Sequence, residues 1–367
     1  MRTFAIIGVL AIGLITQARA DIFATGYFTG DIYRFNEQTA ARSVFASVGS
    51  FSGLAGVAYN PFNNQLYVSA QNLESVFAYN ADTGANVGVY NLGFATAGLS
   101  VDANGKVYVA RFGDDPPTQM NPQPSSAALQ VYVYNPDFVA APQIISANLP
   151  VGAAGVGIAP IGAPNAGSAY ISSAGFGIYR VPGTSLPSVP NTSVVPSFFA
   201  NQGPSIGQIA VGLDGRVYAG SAIGAVNDVT IYNTSGAAVG SITVDESLVN
   251  TIGGTGGSSP GTSPGGVTVD VNGDIIVAVF GRNNPFETQG QNGGLFKFSP
   301  NGGSVPLQTF ATDFAALSAV TIGPTAVPEP ASVGLLLVAS ASAMVYNQRR
   351  RRRTLDVTVS PPGKMLA

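Results

Sequence analysis

Asp102-Ala103-Asn104-Gly105-Lys106-Val107-Tyr108-Val109-Ala110 joins a polar turn to a strand of alternating β-formers, and the chain keeps returning to that pattern. Asn60-Pro61-Phe62-Asn63-Asn64-Gln65-Leu66-Tyr67-Val68, Leu213-Asp214-Gly215-Arg216-Val217-Tyr218-Ala219 and Asp270-Val271-Asn272-Gly273-Asp274-Ile275-Ile276-Val277 repeat it. Asn-Gly and Asp-Gly supply the positive φ of a tight hairpin, so a two-residue turn followed by a half-buried strand is expected at each copy. One hairpin unit, used many times, organises the fold.

Outward from each turn the chain divides into four-strand units. An inner strand opens on small residues at Gly56-Val57-Ala58-Tyr59, Gly98-Leu99-Ser100-Val101, Gly155-Val156-Gly157-Ile158, Gly207-Gln208-Ile209-Ala210-Val211 and Gly266-Val267-Thr268-Val269. A second strand follows the turn. A third ends on an aromatic or basic residue, as in Val76-Phe77-Ala78-Tyr79, Val131-Tyr132-Val133-Tyr134, Ile178-Tyr179-Arg180, Val229-Thr230-Ile231-Tyr232 and Leu295-Phe296-Lys297-Phe298. One further unit is split. Asp21-Ile22-Phe23-Ala24-Thr25, Asp31-Ile32-Tyr33-Arg34-Phe35 and Ser43-Val44-Phe45-Ala46 match strands two to four, and Leu317-Ser318-Ala319-Val320-Thr321-Ile322 supplies the missing first strand. The units start roughly fifty residues apart. The expected fold is therefore all-β: a six-bladed β-propeller over residues 21–323, closed by pairing the last strand into the first blade, in preference to a β-sandwich or solenoid.

Composition agrees. Glycine (46) and proline (25) are abundant among 367 residues, hydrophobic content is 46% and charge only 10%, which favours short strands and turns over disorder. All but two of the 19 acidic residues, Glu329 and Asp356, lie between 21 and 327, whereas half of the 16 basic residues lie outside. An acidic body argues against nucleic acid as a partner. There is no cysteine and no histidine, which removes disulfides, zinc thiolates, imidazole ligands and His-dependent nucleophilic triads.

The two ends read as addresses. Residues 1–20 combine a basic start, an apolar run and Ala18-Arg19-Ala20, the small-x-small pattern of a secretory signal peptide cut after Ala20. Near the other end, a linker (324–330) carries Val327-Pro328-Glu329-Pro330. An apolar segment (331–348), expected as a single transmembrane helix, follows, and then a cytoplasmic tail (349–367) opening with Arg349, Arg350, Arg351, Arg352 and Arg353. This arrangement resembles the PEP-CTERM sorting signal of Gram-negative bacteria. The resemblance implies processing by an exosortase-type enzyme, inner-membrane anchoring before it, and a final place at the cell surface or in an exopolysaccharide biofilm matrix. Thr354 to Ala367 depart from the pattern, which usually ends soon after the arginines.

The repeats also resemble those of NHL-type and YVTN-type bacterial propellers, most closely at Leu66-Tyr67-Val68-Ser69-Ala70-Gln71-Asn72 through Asn80. Propeller topology puts the longest loops, 111–129, 245–264 and 281–293, on one face and the short turns and both chain ends on the other. The loop face is expected to point away from the membrane and to bind polysaccharide or a surface protein without catalysis. A purely structural surface protein and a lactonase-like hydrolase are the alternatives. Enzymes of the gluconolactonase type hold a channel metal with a Glu near an inner strand and Asn and Asp partners; here Ser, Gly, Ala, Pro and Ile lead into the inner strands, and Asp313 is the nearest acid.

Candidate ligand residues sit in equivalent loops of two blades: Phe112, Asp114 and Asp115 in one, Asn283, Asn284 and Glu287 in the other. The side-chain oxygens of Asp114, Asp115, Asn283, Asn284 and Glu287 are of the kind calcium takes, at Asp114 and Asp115 above all, but no calcium-loop spacing is present and solvated loops with no bound metal or cofactor are expected. Phe112, Phe280 and Phe286 are candidates for stacking on sugar rings, against the commoner role of pinning a loop down. The glycine-rich run 253–266 lacks a Gly-Lys-Ser/Thr ending and reads as a surface loop rather than a phosphate cradle.

Overall fold

The computed structural model describes residues 20–113, 129–147, 152–173, 177–183, 193–201, 207–220, 228–245, 248, 263–280, 293–314 and 316–325. They form six sheets, each with a core of four antiparallel strands. The chain enters through Ala20–Gly26 (β1), Asp31–Asn36 (β2) and Arg42–Ser47 (β3). Blade one follows with Leu54–Asn60 (β4), Gln65–Ala70 (β5), Ser75–Asn80 (β6) and Asn86–Asn91 (β7). Blade two is Ala95–Val101 (β8), Val107–Gly113 (β9), Leu129–Tyr134 (β10) and Gln143–Ala147 (β11), and blade three is Ala153–Ile158 (β12), Ala169–Ser173 (β13), Gly177–Val181 (β14) and Ser197–Ala200 (β16). Between β14 and β16, Ser193–Val194 (β15) pairs parallel to β11, a fifth strand for blade two that the repeat pattern does not announce. Blade four is Ile209–Val211 (β17), Val217–Ala219 (β18), Asp228–Tyr232 (β19) and Ala238–Thr243 (β20); blade five is Ser263–Val269 (β21), Ile275–Phe280 (β22), Gly293–Phe298 (β23) and Gln308–Phe314 (β24).

The last strand, Leu317–Thr325 (β25), lies beside β1 in the order β25-β1-β2-β3, so the ring closes through the split blade. The six-bladed propeller is thus the fold, and the sandwich and solenoid alternatives fall away. Strand β1 begins and β25 ends on the face of the short turns. The segment 331–348 lies outside the described residues, and among the described residues no helix is long and apolar enough to cross a membrane.

Hydrophobic burial is spread over the seams between blades. Among the described residues six clusters of buried side chains occur, one at each junction of neighbouring sheets. Successive residues of one strand serve opposite seams: Leu66 packs toward the closing blade and Tyr67 toward blade two. A strand with period-two side chains and neighbours on both faces buries both sets, which corrects the expectation of half-buried strands. The second strands place Tyr67, Tyr108, Tyr170 and Tyr218 at equivalent, fully buried positions. The Tyr67 hydroxyl reaches the turn face, where it donates to the Pro136 carbonyl of blade two at 2.7 Å.

The opening turn is one residue longer than expected. Asp102 N–H donates to the Lys106 carbonyl and Gly105 N–H to the Asp102 carbonyl, both at 3.0 Å, leaving three residues in the loop with Gly105 at φ 81°. This is a type I turn closed by a left-handed glycine, the G1-bulge hairpin. Asp102 Oδ1 selects it by accepting from the N–H groups of Asn104 (2.8 Å) and Lys106 (2.9 Å). Asp270 repeats the arrangement with Asn272 and Asp274.

Candidate functional site

The inner strands surround a central cavity of about 160 Å³ that draws lining residues from all six of them. Among the described residues its side-chain polarity comes from Tyr59, Ser100, Gln208, Thr268 and Thr321, with no carboxylate, lysine or arginine in the lining. The walls are close because small residues let backbones meet. A Cβ on Gly98 would lie 2.7 Å from Gly155 Cα, and one on Gly155 would lie 2.3 Å from the Gly207 carbonyl oxygen. Gly56, Gly266 and Ala319 hold the same place in their blades. Ser172 adds a hydrogen bond across one seam, to the Gly207 carbonyl at 3.0 Å.

Blade four breaks the ring of small residues. The pairing of Ile209 with Ala219 puts Gln208, rather than Gly207, in the slot of the inner-strand glycines. Its side chain turns along the channel, and Oε1 accepts from the N–H groups of Val267 (3.3 Å) and Val320 (3.1 Å). One amide therefore satisfies backbone donors on two other inner strands, in a place where each orphaned donor costs about 1–3 kcal/mol.

On the loop face, three described segments meet where the closing blade adjoins blade one. Phe51 N–H donates to the Phe28 carbonyl (2.8 Å), Asn72 N–H to the Ser52 carbonyl (3.1 Å), and Gln71 N–H to the Gly53 carbonyl (2.9 Å). Tyr27 donates its hydroxyl to Gln71 Oε1 at 2.7 Å, and burial pushes that phenol up to about 12. The opposite face carries a different cluster. Lys297 Nζ sits 2.6 Å from Asp270, 3.0 Å from Glu37 and 3.2 Å from Asp274. Burial alone would lower this ammonium, but the hydrogen bonds to Asp270 and Glu37 prevail and hold it above the ordinary lysine value. Three carboxylates thus converge on a resident cation supplied by the chain itself.

Of the expected ligand residues, Phe112 lies within β9, 8% exposed, in the seam cluster with Leu129 and Ala153. The strand continues past Ala110 and takes the ring inward, so Phe112 pins the structure and offers no face to a sugar. Asp114, Asp115, Asn283, Asn284, Glu287 and Phe286 lie outside the described residues, as do Ala18, Val327 to Pro330 and Arg349 to Arg353. Phe280 is the last residue of β22. Ala20 is buried at the start of β1. Asp313 belongs to the outer strand β24 rather than to the channel; hydrogen bonds from Arg42 hold its carboxyl below the ordinary value.

Sequence reading missed Gln208, the Lys297 cluster and Phe51. Gln208 was visible as a polar residue in an otherwise small and aliphatic inner strand. The other two have no local signal.

No protein-family model matches the chain, and no curated protein matches it. Solved structures do. A chain from a nidogen/laminin complex superposes with a TM-score of 0.58 at 12% identity, over 83% of this chain and 99% of that one. A protein of unknown function from Bacteroides caccae gives 0.55 at 12%, with the same coverage. A gluconolactonase from Xanthomonas campestris gives 0.46 at 12%, over 73% and 85%, a likeness too loose to bear on activity. At such identities the first two likenesses speak for the propeller fold and for nothing beyond it.

Proposed function

We propose that this chain is an exported surface protein that binds extracellular polysaccharide through the loop face of its propeller, without catalysing a reaction. A PEP-CTERM-type segment, with its Val327-Pro328-Glu329-Pro330 motif, apolar stretch and arginine stop, delivers and anchors it. The observation that carries the reading is the placement of the propeller's two ends. Strands β1 and β25 are neighbours in the closing blade, and the first begins and the second ends on the turn face. A body tethered there keeps its loops available to the outside. The described lining of the channel carries no charge, and its side-chain amide, Gln208, is engaged with two backbone donors, which favours binding over metal-dependent hydrolysis.

Intact-mass analysis of surface and medium fractions, with and without the exosortase-type enzyme, tests the address. A species beginning at Asp21, ending within Val327 to Pro330 and vanishing without the enzyme supports it. If every species extends to Ala367, the processing half is wrong and the protein is a permanent membrane tether. A released body that binds a surface protein and no polysaccharide overturns the other half.

A further inference from the structure

Phe51 is held in a conformation that its residue type resists. Its φ is 61°, in the left-handed region that costs a side-chain-bearing residue of this bulk, and its side chain is 57% exposed. The related loop of the next blade shows that neither feature is required. There a glycine, Gly93, takes the positive φ (71°), and the following Phe94 turns inward, 5% exposed and stacked on Tyr132 at 4.7 Å. In the loop between β3 and β4 the strained conformation falls on the aromatic itself, and the ring points outward.

The conformation is clamped rather than loose. Phe51 N–H donates to the Phe28 carbonyl, and its own carbonyl accepts from Asn72 Nδ2, both at 2.8 Å. The Asn72 amide in turn lies over Gly53, where a Cβ would come within 3.0 Å of it. Residues 27–30, 48–53 and 71–73, which build this corner, include no charged side chain, and Glu74, which caps the last of these segments, is an anion. Leu73, 46% exposed, is the other large apolar residue presented there.

We propose that Phe51 is a preorganised stacking platform for the pyranose ring of a neutral polysaccharide, with Asn72 as its positioning residue. An aromatic face suits the C–H side of a sugar ring, and a rigid aromatic loses little entropy on binding. Among the described residues these segments bring no cation to the corner, which disfavours a uronate or phosphate-bearing polymer that would need a charged donor. The apolar surface offered, one ring and one leucine, matches a single sugar residue and is far below what a stable protein interface covers. This rests on the polysaccharide-binding reading above and names both its residue and its ligand class.

Affinity electrophoresis of the full chain in mild detergent, through gels containing hydroxyethyl cellulose, dextran, galactomannan or alginate, tests it. At least one neutral polymer is expected to retard the protein. Phe51→Ala is expected to weaken that retardation about tenfold, Phe51→Tyr to preserve it, and Asn72→Ala to weaken it by a smaller factor. Phe51→Asn, a residue at ease with positive φ, should match or exceed the wild-type melting temperature while losing retardation, a combination that a structural role does not produce. The proposal is overturned if no neutral polymer retards the wild type, or if Phe51→Ala is retarded as strongly as it. Retardation by alginate alone, indifferent to Phe51, overturns it too but leaves the broader polysaccharide reading standing.

Discussion

Replacing Lys297 with methionine probes the cluster on the turn face. The lysine side chain is 11% exposed and that of Asp270, its nearest partner, 4%. Methionine keeps the apolar stem and removes the ammonium, so three carboxylates that faced one cation face one another. Breaking a buried pair from one side costs about 3–5 kcal/mol, because the remaining charge is left without compensation. The exposed pair of Arg42 and Asp313, with side chains 44% and 39% exposed, provides the contrast, and Arg42→Met should cost about 1 kcal/mol or less. Urea unfolding followed by circular dichroism gives both numbers if the slope against denaturant is unchanged.

The pH dependence follows from the direction of the lysine shift. Its folded value lies above the ordinary 10.5, so the cluster's contribution is fully present below 10.5 and fades as pH rises through the folded value. In Lys297→Met the orphaned carboxylates have no cation, and stability should recover on acidification as one of them takes a proton. The gap between wild type and variant should therefore narrow from pH 7 toward pH 4. Adding Asp270→Asn to the variant should restore part of the loss. A loss below about 1 kcal/mol at neutral pH, or a gap that stays constant on acidification, refutes the reasoning.

Gln208→Leu should cost about 1–3 kcal/mol and speed amide exchange at Val267 and Val320, whose N–H groups lose their acceptor; unchanged exchange at both would show that the amide is dispensable. Gly155→Ala forces a Cβ to 2.3 Å from the Gly207 carbonyl oxygen and should destabilise by about 1–3 kcal/mol in urea, whereas a neutral result would mean that the blades slide apart easily. Burial raises the phenols of Tyr67, Tyr108, Tyr170 and Tyr218 and takes Tyr27 to about 12, while the unfolded chain ionises near 10. Since the unfolded state then releases protons first, each such tyrosine should remove up to about 1.4 kcal/mol per pH unit above 10, and native phenols that all titrate near 10 would contradict this.

Much of the architecture was legible because it is written locally and several times. The polar turn marks four blades and a small-residue inner-strand opening five, and the homeless strand at Leu317 to Ile322 announces the closure. What failed did so by a residue or by distance. The turn is longer by one residue because Asp102 captures the Asn104 and Lys106 amides, which a tighter hairpin would not allow. Gly207 is a misleading marker because register is set by pairing to β18, and that places Gln208 in the glycine slot. Phe112 reads as a loop residue until β10 is known to extend the ladder alongside it, with Arg111 opposite Gln130. Lys297 and Glu37 are 260 residues apart, and no local pattern joins them.

The placement of charge follows from how the ring closes. Thr25 and Ser318, whose hydroxyls meet at 3.0 Å in the closing blade, are separated by 293 residues. Bringing chain ends together over that length costs about 5 kcal/mol in loop entropy. Apolar seams resemble one another from blade to blade and carry little information about which strand belongs beside which. Ionic contacts do carry it. With charge at 10% of the sequence, the described ion pairs that cross from one blade to another, Arg42 with Asp313 and Lys297 with Glu37, both fall at the seam between blade five and the closing blade. Arg34 pairs with Asp21 inside the closing blade, between β2 and the incoming β1. Gln308 adds a hydrogen bond from β24 to the Glu37 carbonyl at 3.0 Å. Contacts of this kind are specific in a way that aliphatic burial is not, because a charge left without its partner at a mispaired seam carries a penalty that a mispaired methyl does not. The six apolar seams run all round the ring, and the described ion pairs that cross between blades gather at the one seam where its two ends meet a neighbour.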